Sequence, residues 1–152
     1  FGKTYGCTGW RLGYVAGPAA LVDEINKLSQ FSYVCAPTPL QWAAIATFDC
    51  DMTPVINEYK ARRDKVIERL GRHTQVTKPG GAFYAFVETP EHFANSTALV
   101  EAALERNLVL IPGGVFSDRD THFRLSFATA RPRLEAGLGI LEELLAGAPA
   151  AR

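Results

Sequence analysis

Three times within the first 54 residues a proline stands where a helix would begin: Gly17-Pro18, Thr38-Pro39 and Thr53-Pro54. The proline ring presets a helical φ but carries no amide hydrogen, so it suits the first helical position and disrupts an interior one. Each proline is followed by an apolar-periodic run. Leu21, Val22, Ile25 and Leu28 share one face after Pro18, Leu40 to Phe48 follows Pro39, and Val55, Ile56, Tyr59, Val66, Ile67 and Leu70 form a stripe after Pro54 that Gly71 ends. Ahead of these helices, Leu12-Gly-Tyr-Val-Ala16 reads as a short buried strand.

From Thr74 the period shortens. Gln75 to Lys78 and Ala82 to Glu88 read as strands on either side of a Pro79-Gly80-Gly81 turn, with Gly80 structural. A helix is expected near Ser96 to Arg106, stopped by a left-handed Asn107, followed by a strand Val109 to Ile111. His122 to Phe127 alternates, with Phe123, Leu125 and Phe127 on one face and His122, Arg124 and Ser126 on the other. A last helix, Pro132 to Ala146, carries Leu134, Leu138, Leu141 and Leu145 before Gly147 and a small-residue tail expected to fray. The order predicts an α/β fold whose second part is an α+β domain with a small mixed or antiparallel sheet flanked by helices.

Charge and cysteine content narrow the chemistry. Sixteen basic and sixteen acidic residues cancel, which favours neither nucleic acid nor an anionic membrane surface. No apolar run reaches the length of a membrane span, and no signal peptide is read at the start. Cys7, Cys35 and Cys50 form an odd set without CxxC spacing, which reads as reduced thiols in a cytoplasmic protein. Neither a metal-ligand spacing nor a nucleotide loop is present, so no metal is predicted. The basic residues of the long helix, Lys60, Arg62, Arg63, Lys65, Arg69 and Arg72, are read as a solvated face rather than an anion stripe.

Two cations stand out. Phe1-Gly-Lys-Thr-Tyr-Gly-Cys-Thr-Gly-Trp-Arg-Leu-Gly13 sets Lys3 and Arg11 eight residues apart in a Gly/Thr-rich turn. An amine that can condense with a carbonyl, beside a planar fork suited to phosphate, suggests a phosphorylated aldehyde. Such a lysine needs desolvation or a nearby cation to be unprotonated, which Arg11, Tyr5 and Trp10 are placed to supply. A third cation, Arg124, projects from the polar side of a core-packed strand and must find an anion or solvent. Asp118 or Asp120 is the ordinary salt-bridge alternative; Arg119 is a weaker candidate, and His122 reads as a supporting or surface histidine, as do His73 and His92.

The Phe1 to Gly13 segment resembles the cofactor-lysine motif of class I/II aminotransferases, the fold-type I enzymes that use pyridoxal 5′-phosphate (PLP). Lys78-Pro-Gly-Gly-Ala-Phe-Tyr84, Ile111-Pro-Gly-Gly-Val-Phe116 and Thr121-His-Phe-Arg-Leu-Ser-Phe127 resemble later segments of the same family, in the same order. The resemblance implies that Lys3 is the Schiff-base lysine, that Arg11 contacts the cofactor phosphate and that Arg124 grips the substrate α-carboxylate. Gly2 departs from the family's frequent serine, which removes one hydrogen bond to the phosphate. The resemblance further implies that the chain is a C-terminal part of such an enzyme, inactive alone. Residues 1–52 would be a remnant of the large PLP-binding domain, and residues 53–152 the small domain with a long bridging helix. The implied activity is amino-group exchange between an L-amino acid and a 2-oxo acid, leaning toward aspartate-type, in a homodimer. Another fold-type I activity (decarboxylase, lyase or synthase) and a non-catalytic small-domain module are the alternatives.

Overall fold

The computed structural model describes residues 1–147; the frayed tail expected beyond Gly147 lies outside them. By internal packing the chain divides at Pro54, giving a first unit Phe1–Pro54 and a second unit from Val55 onward. Five helices form where the proline and periodicity signals place them: α1 Ala19–Gln30, α2 Thr38–Thr47, α3 Thr53–Leu70, α4 Ser96–Glu105 and α5 Arg131–Leu145. The starts differ in detail from the expected caps. Pro37, not Thr38, is the residue that precedes α2, and the first amide of α3, at Thr53, donates to Asp51 Oδ1 at 2.9 Å.

The first unit holds α1, α2 and a 3-10 turn at Thr8–Trp10, and no strand. The strand expected over Leu12 to Ala16 is corrected: the segment enters no ladder, and Tyr14 and Val15 are 77% and 63% exposed. A strand is stabilised by its neighbours' backbone hydrogen bonds, and this unit provides no neighbouring strand. Among its residues only Ala44 and Thr47 are buried. Four rings, Phe1, Tyr5, Tyr14 and Phe48, cluster with centroids 5.8 to 6.5 Å apart in successive pairs.

The second unit is built on a three-stranded antiparallel sheet in the order β1-β3-β2, with β1 Tyr84–Glu88, β2 Ile111–Pro112 and β3 His122–Ser126. Register pairs Ala85 with Leu125 and Val87 with Phe123, so the period-2 pattern delivers four apolar side chains to one face. These meet Leu99 and Ala103 of α4, Val66 and Leu70 of α3, and the leucines of α5 in one core. Each fully buried Leu or Phe contributes about 1.5–3 kcal/mol relative to exposure. Leu134, Leu138, Leu141 and Leu145 are buried as the helical period requires, joined by Leu144. Asn107 stops α4 in the left-handed region at φ 60°, as expected.

Three expectations are revised here. Gln75 to Lys78 contributes only an isolated bridge, Val76 to Val87, because the chain leaves the sheet after one pairing. Neither Gly80 nor Gly81 takes a positive φ; Ala82 does, at 59°. A side chain at either glycine would meet open space, so the turn does not depend on glycine there. The basic face of α3 is not simply solvated. Arg69 pairs with Glu135 at 2.9 Å and with Glu142, and Lys65 with Glu135, so a charged seam joins α3 to α5; within α3, Arg62 pairs with Glu58 at 2.8 Å. Arg62 also donates to the Thr129 carbonyl at 2.7 Å.

Candidate active site

In the first unit, Lys3 lies exposed in a turn closed by Tyr5 N–H donating to the Phe1 carbonyl at 3.1 Å. Arg11 follows the 3-10 turn in the left-handed region, φ 50°, an uncommon conformation for a residue with a Cβ. Its Nη1 donates to the Thr8 carbonyl at 3.3 Å, which leaves the rest of the guanidinium fork open to solvent. Arg11 lines a cleft of about 1080 Å³ whose wall includes Trp10, Tyr14, Tyr33 and Phe48, and Lys3 does not line it. The cleft thus sets the Arg11 guanidinium beside aromatic rings, which suits a planar, phosphorylated compound, while the Lys3 amine lies outside its lining. Both groups belong to the first unit, and Arg124 belongs to the second.

In the second unit the polar face of β3 is more organised than its sequence implies. Arg124 sits opposite Phe86 of β1 and Ile111 of β2. Its guanidinium carbon lies 4.4 Å from the centre of the Tyr84 ring and 4.7 Å from that of Phe116. Two π faces therefore flank the cation, each worth about 0.5–1 kcal/mol where water has access. Phe86 stands edge-on to Phe116 at 6.1 Å and stacks on His122 at 5.2 Å with planes 7° apart. His122 Nδ1 is 2.9 Å from Thr121 Oγ1, so the histidine supports the aromatic face, as its sequence context suggests.

The salt-bridge alternative for Arg124 fails on geometry. Among the described residues Arg124 makes no ion pair, and Asp120 is engaged elsewhere. Asp120 accepts from Ser96 Oγ, from Thr97 N–H and Oγ1 at 3.2 and 2.6 Å, and from Gly114 N–H at 3.4 Å. These donors, Ser96 first, hold its carboxyl below the ordinary aspartate range. Arg119 is exposed, and its loop is pinned through backbone contacts to Ser117 Oγ. His92 faces the Leu144 carbonyl at 2.9 Å, near the end of α5, and is spoken for structurally.

Sequence reasoning missed Tyr84, Phe116 and Asp120. Tyr84 was legible in principle: it lies in the same alternating register as Phe86, diagonal to Arg124. Phe116 and Asp120 come from the one loop between the Gly113–Val115 turn and β3, and no periodicity marks either. Among the described residues no group of three or more His, Cys, Asp or Glu is placed to hold a metal, and no helix is long and apolar enough to cross a membrane.

Comparison with known proteins identifies the family. The model of the family described as aminotransferase class I and II matches residues 1–138. A probable aspartate aminotransferase of Methanocaldococcus jannaschii is 33% identical across 95% of this chain and 41% of its own length. Aromatic-amino-acid aminotransferase 2 of Thermococcus litoralis is 31% identical, with 95% and 39% covered. Among solved structures, the aspartate aminotransferase of Thermotoga maritima superposes with a TM-score of 0.85 at 30% identity, covering 96% of this chain and 38% of that one. The chain belongs to the class I and II aminotransferase family, whose fold is that of the fold-type I PLP-dependent enzymes, and spans about 40% of the length of the relatives it matches.

Proposed function

We propose that this member of the class I and II aminotransferase family is part of a PLP-dependent aminotransferase that exchanges an amino group between an L-amino acid and a 2-oxo acid. The observation that carries the reading is the pairing of donor chemistries on family-matched sequence: an amine and a guanidinium in the Phe1 to Gly13 segment, and on β3 a guanidinium that pairs with no carboxylate among the described residues. Lys3 would hold the cofactor's carbonyl carbon through Nζ, and Arg11 would hold its phosphate. When bound, PLP supplies an electron sink for the bond broken at the substrate α-carbon. Lys3 Nζ would then be the base that takes the proton from the substrate α-carbon and passes it on rather than back. Arg124 would orient the substrate by its α-carboxylate, with no carboxylate among the described residues paired to its guanidinium.

The aspartate lean rests on relatives named aspartate aminotransferases, and the aromatic relatives keep a second substrate class in view. A homodimer is proposed from the family, and the exposed apolar side chains of the first unit, such as Phe31 and Trp42, are consistent with cover by further polypeptide. Three unpaired thiols support a reducing, cytoplasmic location.

The test is intact-mass measurement after mixing the chain with PLP and reducing with borohydride. The expected result is a single PLP-sized gain that disappears in Lys3→Ala. A gain of equal size in Lys3→Ala would remove Lys3 from the site and with it the central assignment.

A further inference from the structure

The carboxylate nearest to Arg124 in sequence, Asp120, does not pair with it but is bonded into the segments that carry Phe116. Asp120 accepts from Ser96 Oγ and Gly114 N–H, and Ser96 Oγ in turn accepts from Gly113 N–H at 2.9 Å. Ser96 is fully buried, and its own N–H donates to the Asp120 carbonyl at 2.8 Å. The turn at Gly113–Val115 is therefore tied at two successive amides. It is also packed without slack: a Cβ on Gly113 would lie 2.4 Å from the His122 carbonyl oxygen. The turn delivers Phe116, whose N–H donates to the Gly113 carbonyl at 2.8 Å and whose ring covers one face of Arg124.

We propose that Asp120 is a positioning residue: through Ser96 and the Gly113–Val115 turn it holds Phe116 against Arg124, and with Tyr84 on the other side it fixes the direction in which the guanidinium presents its donors. The use of those donors on a substrate carboxylate rests on the function proposed above; the clamp itself does not. An arginine side chain otherwise has several rotatable bonds to restrict on binding. A guanidinium held between two rings has that ordering done in advance, and a carboxylate then meets a fork already aligned.

In the full chain carrying 15N-labelled arginine, the Arg124 Nε–Hε signal, assigned through Arg124→Lys, is followed by relaxation and by titration with maleate. The wild-type signal is expected to be motionally restricted, displaced upfield by the two rings and moved by maleate. Asp120→Asn and Phe116→Leu each loosen it and weaken maleate binding about two- to fivefold, the size of one lost cation–π contact. Thr97→Val, which removes one of Asp120's donors, gives a smaller effect in the same direction and carries the test if Asp120→Asn fails to fold. Unchanged mobility in Asp120→Asn, or in Thr97→Val where that variant carries the test, overturns the proposal. An ordered wild-type Arg124 that loosens in Asp120→Asn but ignores maleate upholds the clamp and overturns the carboxylate role instead.

Discussion

The first unit is at least as rich in apolar residues for its length as the second, yet the two use them to opposite effect. Among the described residues from Val55 onward, fifteen side chains converge on one core, nine of them contributed by β1, β3 and α5 in strict alternation or helical spacing. The first unit leaves Tyr14, Leu28, Phe31, Tyr33, Val34 and Trp42 largely exposed and buries only Ala44 and Thr47. Periodic hydrophobicity is thus necessary for a core but does not make one: β1 and α5 have partners across the sheet and against α3, whereas Leu12 to Ala16 and α1 present apolar faces with little to pack on. Stability in this chain should therefore reside in the second unit, while the first, which holds the proposed cofactor residues Lys3 and Arg11, is loosely supported.

The largest effect that would sharpen this contrast comes from truncating matched aromatics. Phe127→Ala, in a fully buried position, should cost about 3–5 kcal/mol in urea unfolding. Trp42→Ala, at a position 71% exposed, should stay within about 0.5 kcal/mol. Equal costs would show that the first unit has a core of its own and would break the comparison.

Acid should separate the units next. Glu58 accepts from Arg131 and from Arg62, and these hold its pKa down to about 2 from the ordinary 4.5. Glu135, Glu142, Asp64 and Asp120 are lowered too, by Lys65, Arg69, Lys78 and Ser96 respectively, and in the first unit Asp51 is lowered by Thr53. For a depressed carboxylate, the stabilisation is complete above the unfolded pKa and disappears as pH falls through the folded one. The melting temperature should accordingly decline from about pH 4.5 toward about 2, and Glu58→Gln should flatten that decline. Asp51→Asn should alter it less; the reverse ranking would place the acid-sensitive contacts in the first unit.

The smallest effect tests strain. Val34 is β-branched and sits at φ 64°, held by its N–H donating to the Ser29 carbonyl at 2.8 Å. Asparagine tolerates that region better, so Val34→Asn should stabilise by about 1 kcal/mol, read as a rise in denaturation midpoint. A loss of stability would show that the exposed valine has packing value the first unit otherwise lacks.

Particular residues show how far the sequence reaches. The α5 leucines, the alternation through Phe123 and Leu125, and the stop at Asn107 were legible because each depends on local period or on one residue's backbone preference. The strand at Leu12 to Ala16 was misread because a strand's existence depends on neighbours that local composition cannot supply. The basic face of α3 was misread for a related reason: Glu135 and Glu142 lie more than sixty residues away in sequence, and only folding brings them to Arg69.

The candidate site divides along the same line. Residue chemistry by itself put forward Lys3, Arg11 and Arg124 as candidates, since an amine or a guanidinium retains its reactivity wherever the chain carries it, and the resemblance of whole segments led to the family. Whether Arg124 pairs with Asp120 or stands between Tyr84 and Phe116 was decided only in three dimensions. That choice turns on strand register and on a turn tied by Ser96 and Asp120, contacts between segments whose proximity no local pattern records.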